Sequence, residues 1–363
     1  MKKSITIGNL LIIATAISFP ILITDQYMRL ARLPRANSRV MLLSGGKLDS
    51  SGIGIRHYTP NSLMQQSVVF GDILEYSYKF KTDKYGFRVT HNCSNNKKNN
   101  NLVVITGDSF TEGQGSNSSW TESIQRRLCD QGHNSINVAI SGYGVEGMKD
   151  SLDFAYEKLA AHKAIVAIIP NSIYRQRISM NSNHTCSMYE ARKCGVSSTW
   201  WHHPEEFNAK DLIKFASTKQ NFGLLPVLKD LTYSFKLKAK KLIGFRNTYS
   251  SKQMISRSIS DMNSIALKYG AKNVSVIILP QKIDRNLSGS HKVKMRRRAN
   301  LRIFLDSIDK NITVTDLREC PLGEKHFFRI DGHPNEKGHK LLGKCVLRKI
   351  RKSTNIKSQS LAL

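Results

Sequence analysis

Leu102-Val103-Val104-Ile105-Thr106 runs directly into Gly107-Asp108-Ser109-Phe110-Thr111-Glu112-Gly113. A short apolar run of this kind, bounded by a polar stretch and a glycine, reads as a buried strand. The glycine permits a tight turn that lifts the following serine to the sheet edge, where the next helix begins. Gly-Asp-Ser alone has an equally ordinary reading, a β-turn that caps a helix.

Downstream, the same grammar repeats. Ser119–Gln131 reads as a helix, Ile136–Ile140 as a strand, Glu146–Ala161 as a helix and Ala164–Ile169 as a strand. After an interruption come a helix over Ser251–Tyr269, a strand over Val274–Leu279 and a helix over Lys292–Ile308. A short strand over Ile312–Thr315 and a last helix over Glu336–Arg351 complete the series. Alternating strands and helices predict an α/β fold of three layers, α/β/α, around a mainly parallel central sheet. The interruption, residues 173–250, is too long for a plain loop and reads as an insertion with helical pieces of its own. Upstream, residues 25–101 form a lead-in with β character, ending in the Asn-rich seam Asn92–Asn101. The main domain is expected over residues 102–355, with a tail at 356–363.

Ser4 to Thr24 carries no charge, and at about 1.5 Å per residue it reaches about 30 Å, enough to cross a bilayer core as a helix. No small-x-small cleavage pattern precedes Asp25, so the segment reads as an uncleaved transmembrane anchor over residues 1–24. Lys2 and Lys3 on one flank face Arg29, Arg32, Arg35 and Arg39 on the other. Positive charges alone would keep the main domain in the cytoplasm; the export reading developed below opposes that count.

With 56 Lys plus Arg against 27 Asp plus Glu, the 363-residue chain has a formal charge of +29, and 40% of it is hydrophobic. Wholesale disorder is excluded, and an anionic neighbour is implied: lipid headgroups, an acidic polysaccharide or nucleic acid. No nucleic-acid recognition module is visible. Arg296-Arg297-Arg298 and Lys349, Arg351 and Lys352 mark two basic helices. Of the six cysteines, Cys186 and Cys194 are close enough to be joined in an oxidising compartment. Their neighbours His184, His202 and His203 permit a zinc reading, although the spacing matches no compact zinc pattern. Trp200 and Trp201 suit either a packed aromatic corner or the wall of an acceptor cleft.

In doubly wound sheets, ligands bind outside the carboxyl ends of the strands. Besides Ser109, three such places carry suggestive residues. Ser141-Gly142-Tyr143-Gly144 follows the second strand, and its glycines let backbone N–H groups face a ligand. Asn171, in Ile169-Pro170-Asn171-Ser172, can donate from its side chain or cap the next segment. Asp331-Gly332-His333-Pro334-Asn335 opens the last helix. A serine hydroxyl needs an adjacent base, and a histidine oriented by a carboxylate supplies one.

The order Ser109, Gly142, Asn171, Asp331, His333 resembles the SGNH (GDSL-type) hydrolase superfamily over roughly residues 102–351, with the insertion excluded. Tyr58-Thr59-Pro60-Asn61 and Thr82–Arg88 are similar to the lead-ins of membrane-tethered members from bacterial polysaccharide gene clusters. The resemblance implies a flavodoxin-like sheet and a Ser109–His333–Asp331 triad. It also implies an oxyanion hole made by the Ser109 and Gly142 N–H groups and the Asn171 side chain. The third block departs from the usual Gly-x-Asn-Asp. Implied is an esterase without metal or cofactor, acting on O-acetyl esters of a surface or exported polysaccharide from outside the inner membrane. The same triad serves an O-acetyltransferase, and the altered third block leaves a silent glycan-binding scaffold as the alternative from another class.

Overall fold

The computed structural model describes residues 16, 18–24, 26–27, 39–46, 48–49, 55–71, 73–91, 93, 102–175, 178–180, 184–186, 200–203, 207–219, 251–282 and 291–356. Two compact units divide the chain: residues 1–40, 69–74 and 208–248, and residues 41–68, 75–207 and 249–363.

In the first unit, residues 16, 18–24, 26 and 27 are helical, with Phe19, Leu22 and Ile23 exposed. Residues 1–15 and 17 of the expected membrane span lie outside the described residues. Among the described ones, no helix is long and apolar enough to cross a membrane. A helix over Ala209–Lys219 follows Asn208, whose Oδ1 accepts the Asp211 N–H at 3.0 Å.

Among the described residues there are nine main strands, most of their length in the second unit. Three belong to the lead-in: β1 (Arg39–Ser44), β2 (Leu63–Phe70) and β3 (Ile73–Lys81). Then come β4 (Leu102–Gly107), β5 (Asn134–Asn137), β6 (Lys163–Ile168), β7 (Trp200–His203), β8 (Val274–Ile278) and β9 (Thr313–Asp316). The helices are α1 (Ser109–Glu112), α2 (Trp120–Asp130), α3 (Val145–Leu159), α4 (Ser251–Tyr269), α5 (His291–Ser307) and α6 (Glu336–Ile356).

Five strands form one sheet in the order β9-β8-β6-β4-β5, every pair parallel. The chain enters at β4, steps to the edge strand β5, then returns to β6 on the opposite side. Ligands in such sheets bind at the switch point, here the crevice between the carboxyl ends of β4 and β6. The two-residue period of β4 sorts its side chains between faces. Val103 and Ile105 join a core cluster with Trp120, Ile124 and Leu128 of α2 and Leu342 and Val346 of α6. From the other face, Thr106 Oγ1 meets Ser151 Oγ of α3 at 2.8 Å. The Tyr269 hydroxyl of α4 donates to the Leu152 carbonyl of α3 at 2.7 Å. Residues such as Ile105, fully buried, each contribute about 1.5–3 kcal/mol.

The second strand of this sheet begins earlier than its apolar run suggests. Pairing covers Asn134–Asn137, after which Val138 and Ile140 still donate to the Ile105 and Gly107 carbonyls. Asn137 Oδ1 takes the Ala139 N–H at 3.1 Å, and its Nδ2 donates to the Thr111 carbonyl. The apolar residues 138–140 therefore ride along the β4 edge as irregular backbone and deliver Ser141 to the crevice.

The lead-in strands and β7 make a second sheet, β7-β1-β2-β3, in which Met41–Ser44 pairs in parallel with Trp200–His203. Disulfides join Cys93 to Cys129 and Cys320 to Cys345, and neither pairing was visible in the spacing. Cys194 lies outside the described residues.

Cys320 and Cys345 are nearly fully buried in the core cluster around α6. Replacing both by Ala is expected to lower stability by about 2–4 kcal/mol, the usual effect of opening a native loop of this size. An unchanged denaturant midpoint would contradict the cross-link.

Candidate active site

β4 ends in Gly107, where a Cβ would lie 2.2 Å from Thr111 Oγ1 and 2.8 Å from the Ala167 carbonyl. Only glycine lets α1 start this close to β6. Asp108 caps that helix by accepting the Phe110 N–H at 3.0 Å, and Ser109 is its first residue. The Thr111 and Glu112 N–H groups of this turn donate to the Asp108 carbonyl, both at 2.9 Å, which leaves the Ser109 N–H without an acceptor among the described residues.

Ser109 Oγ lies 2.7 Å from His333 Nε2, although 224 positions separate them. His333 Nδ1 faces Asp331 Oδ1. The three residues that the sequence singled out are thus brought into one chain of contacts. Phe110 packs beside the imidazole, ring centroids 5.0 Å apart. The loop carrying Asp331 and His333 is pinned at its base: Phe328 N–H donates to the His333 carbonyl, and Asn335 N–H to that of His326. Asn335 Oδ1 accepts the Gly338 N–H at 3.1 Å and caps α6. Lys282 Nζ holds the Phe328 and Arg329 carbonyls, both at 2.7 Å.

Gly142 has φ +87°, a conformation that favours glycine. The N–H groups on either side are committed: Ser141 N–H donates to Glu112 Oε2 at 2.6 Å and Tyr143 N–H to the Ile140 carbonyl. Among the described residues no protein acceptor is found for the Gly142 N–H between them. Asn171 opens a single 3-10 turn after β6, half-buried, and its side chain caps nothing there. No hydrogen bond ties it to Ser109 or His333. Its neighbour Ser172 is committed, accepting the Ile169 N–H and donating to Asp108 Oδ2 at 3.3 Å.

Several residues that the sequence reading left without a role complete the site. Tyr76 of β3 donates to Asp331 Oδ2 at 3.2 Å, and Glu75 Oε1 accepts the Ile330 N–H at 2.8 Å. Gln114 Nε2 donates to the Tyr76 hydroxyl, and Gln114 Oε1 accepts from Ser141 Oγ at 2.9 Å. Arg56 Nη1 donates to the Ser141 carbonyl at 3.2 Å, and Tyr58 donates to Glu112 Oε1 at 2.7 Å. Arg88 donates to the carbonyls of Gly113 and Ser116. The motifs at Tyr58–Asn61 and Thr82–Arg88 contain Tyr58 and Arg88 but do not announce these contacts, because each partner lies 25 or more positions away.

The fold and site define a doubly wound α/β protein with a Ser–His–Asp array at its switch point. No family model and no curated relative matches the sequence. Among solved structures, the chain is similar to a psychrotrophic esterase from a Pseudoalteromonas species, with 13% identity over 70% of this chain and 99% of that one (TM-score 0.37). It is also similar to a catalytic variant of an acetylxylan esterase from Geobacillus stearothermophilus, with 13% identity over 70% and 96% (TM-score 0.37). A third is a family 3 carbohydrate esterase from Clostridium thermocellum, with 11% identity over 70% and 97% (TM-score 0.34).

Glu112 is fully buried, and burial outweighs the Tyr58 hydroxyl, the Arg88 charge and the Ser141 N–H, pushing its carboxyl up to about 7. Between pH 4.5 and 7 the folded chain therefore holds a proton that the unfolded chain has released, so this group's contribution to stability falls as pH rises. His339, buried and lowered to about 3, acts in the opposite sense below its ordinary value. Comparison with Glu112→Gln isolates the carboxyl. Relative to that variant, the wild type is expected to lose up to about 3 kcal/mol between pH 4.5 and 7 in denaturant titrations. A pH-independent difference would count against a raised Glu112.

Proposed function

We propose that this chain is a serine esterase of the SGNH type that removes acyl groups, O-acetyl in particular, from a surface or exported polysaccharide. The observation that carries the reading is the 2.7 Å contact between Ser109 Oγ and His333 Nε2, with Asp331 on the far side of the imidazole. Ser109 Oγ attacks the ester carbonyl as His333 Nε2 takes its proton. Asp331 holds the imidazole in the tautomer that accepts at Nε2 and stabilises the imidazolium. The proton then passes to the departing sugar oxygen. Water attacks the acyl-enzyme by the same route, releasing the acid and restoring Ser109. The oxyanion is met by the N–H groups of Ser109 and Gly142 and by the Asn171 side chain. One such donor is worth about 3 kcal/mol at the transition state.

Ser109 is only 1% exposed, which supports a second reading, transfer of the acyl group to a sugar hydroxyl with water held out. Localisation follows the sequence: an anchor over residues 1–24, with the enzyme outside the inner membrane. Two disulfides among the described residues support an oxidising compartment.

With the full chain in detergent, hydrolysis of p-nitrophenyl acetate is expected to fall at least about 10³-fold in Ser109→Ala and in His333→Gln. Equal turnover in wild type and Ser109→Ala would leave the scaffold reading in its place. An added oligosaccharide acceptor that becomes acetylated, detected by mass spectrometry, marks the transferase.

A further inference from the structure

Beyond β6, away from Ser109, a groove of about 520 Å³ is lined by Pro170, Arg297, Arg298, Arg302, Asp316 and Arg318, among others. That volume falls in the ordinary range for ligand sites, about 300–1,000 Å³. Pro170 follows β6, whereas Asp316 ends β9 and Arg318 follows it, so the groove crosses the carboxyl ends of β6, β8 and β9. Neighbouring strands lie about 4.8 Å apart, which places the groove from about 5 to about 15 Å from the strand that carries Ser109. The loop at its near end is tied to the nucleophile's turn. Arg175 Nη1 meets Asp108 Oδ2 at 2.7 Å and Ser172 Oγ meets the same atom.

Four arginines in the groove face three carboxylates, and the carboxylates are mostly engaged. Asp316 is committed to Arg318, which places Nε at 3.0 Å and Nη2 at 2.6 Å from it and is thereby held in one orientation. Glu319 is engaged by Lys349 at 3.0 Å. Asp306 reaches Arg302 only at 3.8 Å across exposed side chains, a contact worth little in water. Arg297 and Arg298 have no ion pair among the described residues. Arg298 and Arg302 stand at i and i+4 on α5, where like charges repel, and α5 otherwise adds Lys292, Lys294 and Arg296.

We propose that this groove is a subsite for an acidic glycan chain, so that the ester delivered to Ser109 belongs to a polysaccharide bearing carboxylate groups. Guanidinium forks pair with carboxylates in two-point hydrogen bonds, and a chain lying along the carboxyl edge leads directly to the switch point. A concave site with floor residues at strand ends suits a polymer better than the flat surface of a bilayer. The proposal rests on the esterase reading for its purpose, but its binding step is measurable without turnover.

The test is binding of fluorescent oligogalacturonate to the full chain in detergent, with a neutral xylo-oligosaccharide and a soluble short-chain phosphatidylglycerol as comparison probes. Oligogalacturonate is expected to bind, and the neutral sugar to bind at least about tenfold more weakly. Raising salt from about 0.05 to 0.5 M should weaken the acidic probe. The triple variant Arg297→Ala/Arg298→Ala/Arg302→Ala should lose at least about tenfold in affinity, and Arg297→Lys/Arg298→Lys/Arg302→Lys should recover part of that loss. Should the alanine variant fail to fold, the lysine variant and the salt series read the same quantity. Equal affinity for acidic and neutral sugars, or an alanine variant that binds oligogalacturonate normally, overturns the proposal. Loss of phosphatidylglycerol binding alone overturns it in favour of a membrane contact. Absence of Ser109-dependent p-nitrophenyl acetate turnover removes the esterase reading instead.

Discussion

Asp331, only 5% exposed, lies against His333, and an uncompensated buried charge at such a position costs several kcal/mol. Every polar group aimed at it reduces that cost. The imidazole Nδ1, the Tyr76 hydroxyl and the His333 backbone N–H at 3.3 Å all point to its two oxygens. One of these comes from β3, some 255 positions earlier in the chain. The lead-in strands are therefore part of the site: removing β3 would leave Asp331 with fewer partners and free the loop that positions the imidazole.

A similar balance is struck on the other side of the nucleophile. Asp108 and Glu112, immediately before Ser109 and three positions after it, are both fully buried. They are treated differently. Asp108 has a guanidinium partner, Arg175, in direct contact. Glu112 has only neutral donors in contact, with Arg88 near enough to act through its charge, and desolvation wins. Under the proposed esterase mechanism, two full negative charges flanking Ser109 would oppose the alkoxide formed during attack. Giving one an ion pair and keeping the other near its protonated form limits that opposition.

The central sheet was legible because buried parallel strands are continuous apolar runs, and Leu102–Thr106, Ala164–Ile169 and Val274–Leu279 each match a strand to within one residue at either end. The second strand was misplaced for a physical reason: Val138–Ile140 is apolar because it is buried, while the pairing is made by the polar residues before it. Ser109, Asp331 and His333 could be named because turn glycines and helix starts mark the carboxyl ends of strands. Glu75 and Tyr76 could not be named, and Tyr58 and Arg88, although they lie in the two lead-in motifs, could not be given a role. A buried tyrosine or arginine in a β-rich lead-in looks the same whether it packs a core or supports an active site, and only the tertiary partner separates the two. Cys93–Cys129 and Cys320–Cys345 were hidden in the same way.

The departure at the third block has a local cause. Where an Asp would follow Asn171, this chain has Ser172, and its hydroxyl lies 3.3 Å from Asp108 Oδ2. A carboxylate at that position would face the buried Asp108 carboxylate across a hydrogen-bond distance, where like charges repel strongly and neither can be hydrated. Asp108 is already satisfied by Arg175 and the Phe110 N–H, so a neutral donor is what the remaining space accepts. Ile169, ahead of Pro170, is fully buried in the core cluster, which accounts for an apolar residue where the usual pattern has glycine. The altered block thus keeps Asn171 at the end of β6 while its neighbours serve the nucleophile's turn and the core. Ser172 is accounted for by the Asp108–Arg175 pair and Ile169 by the core.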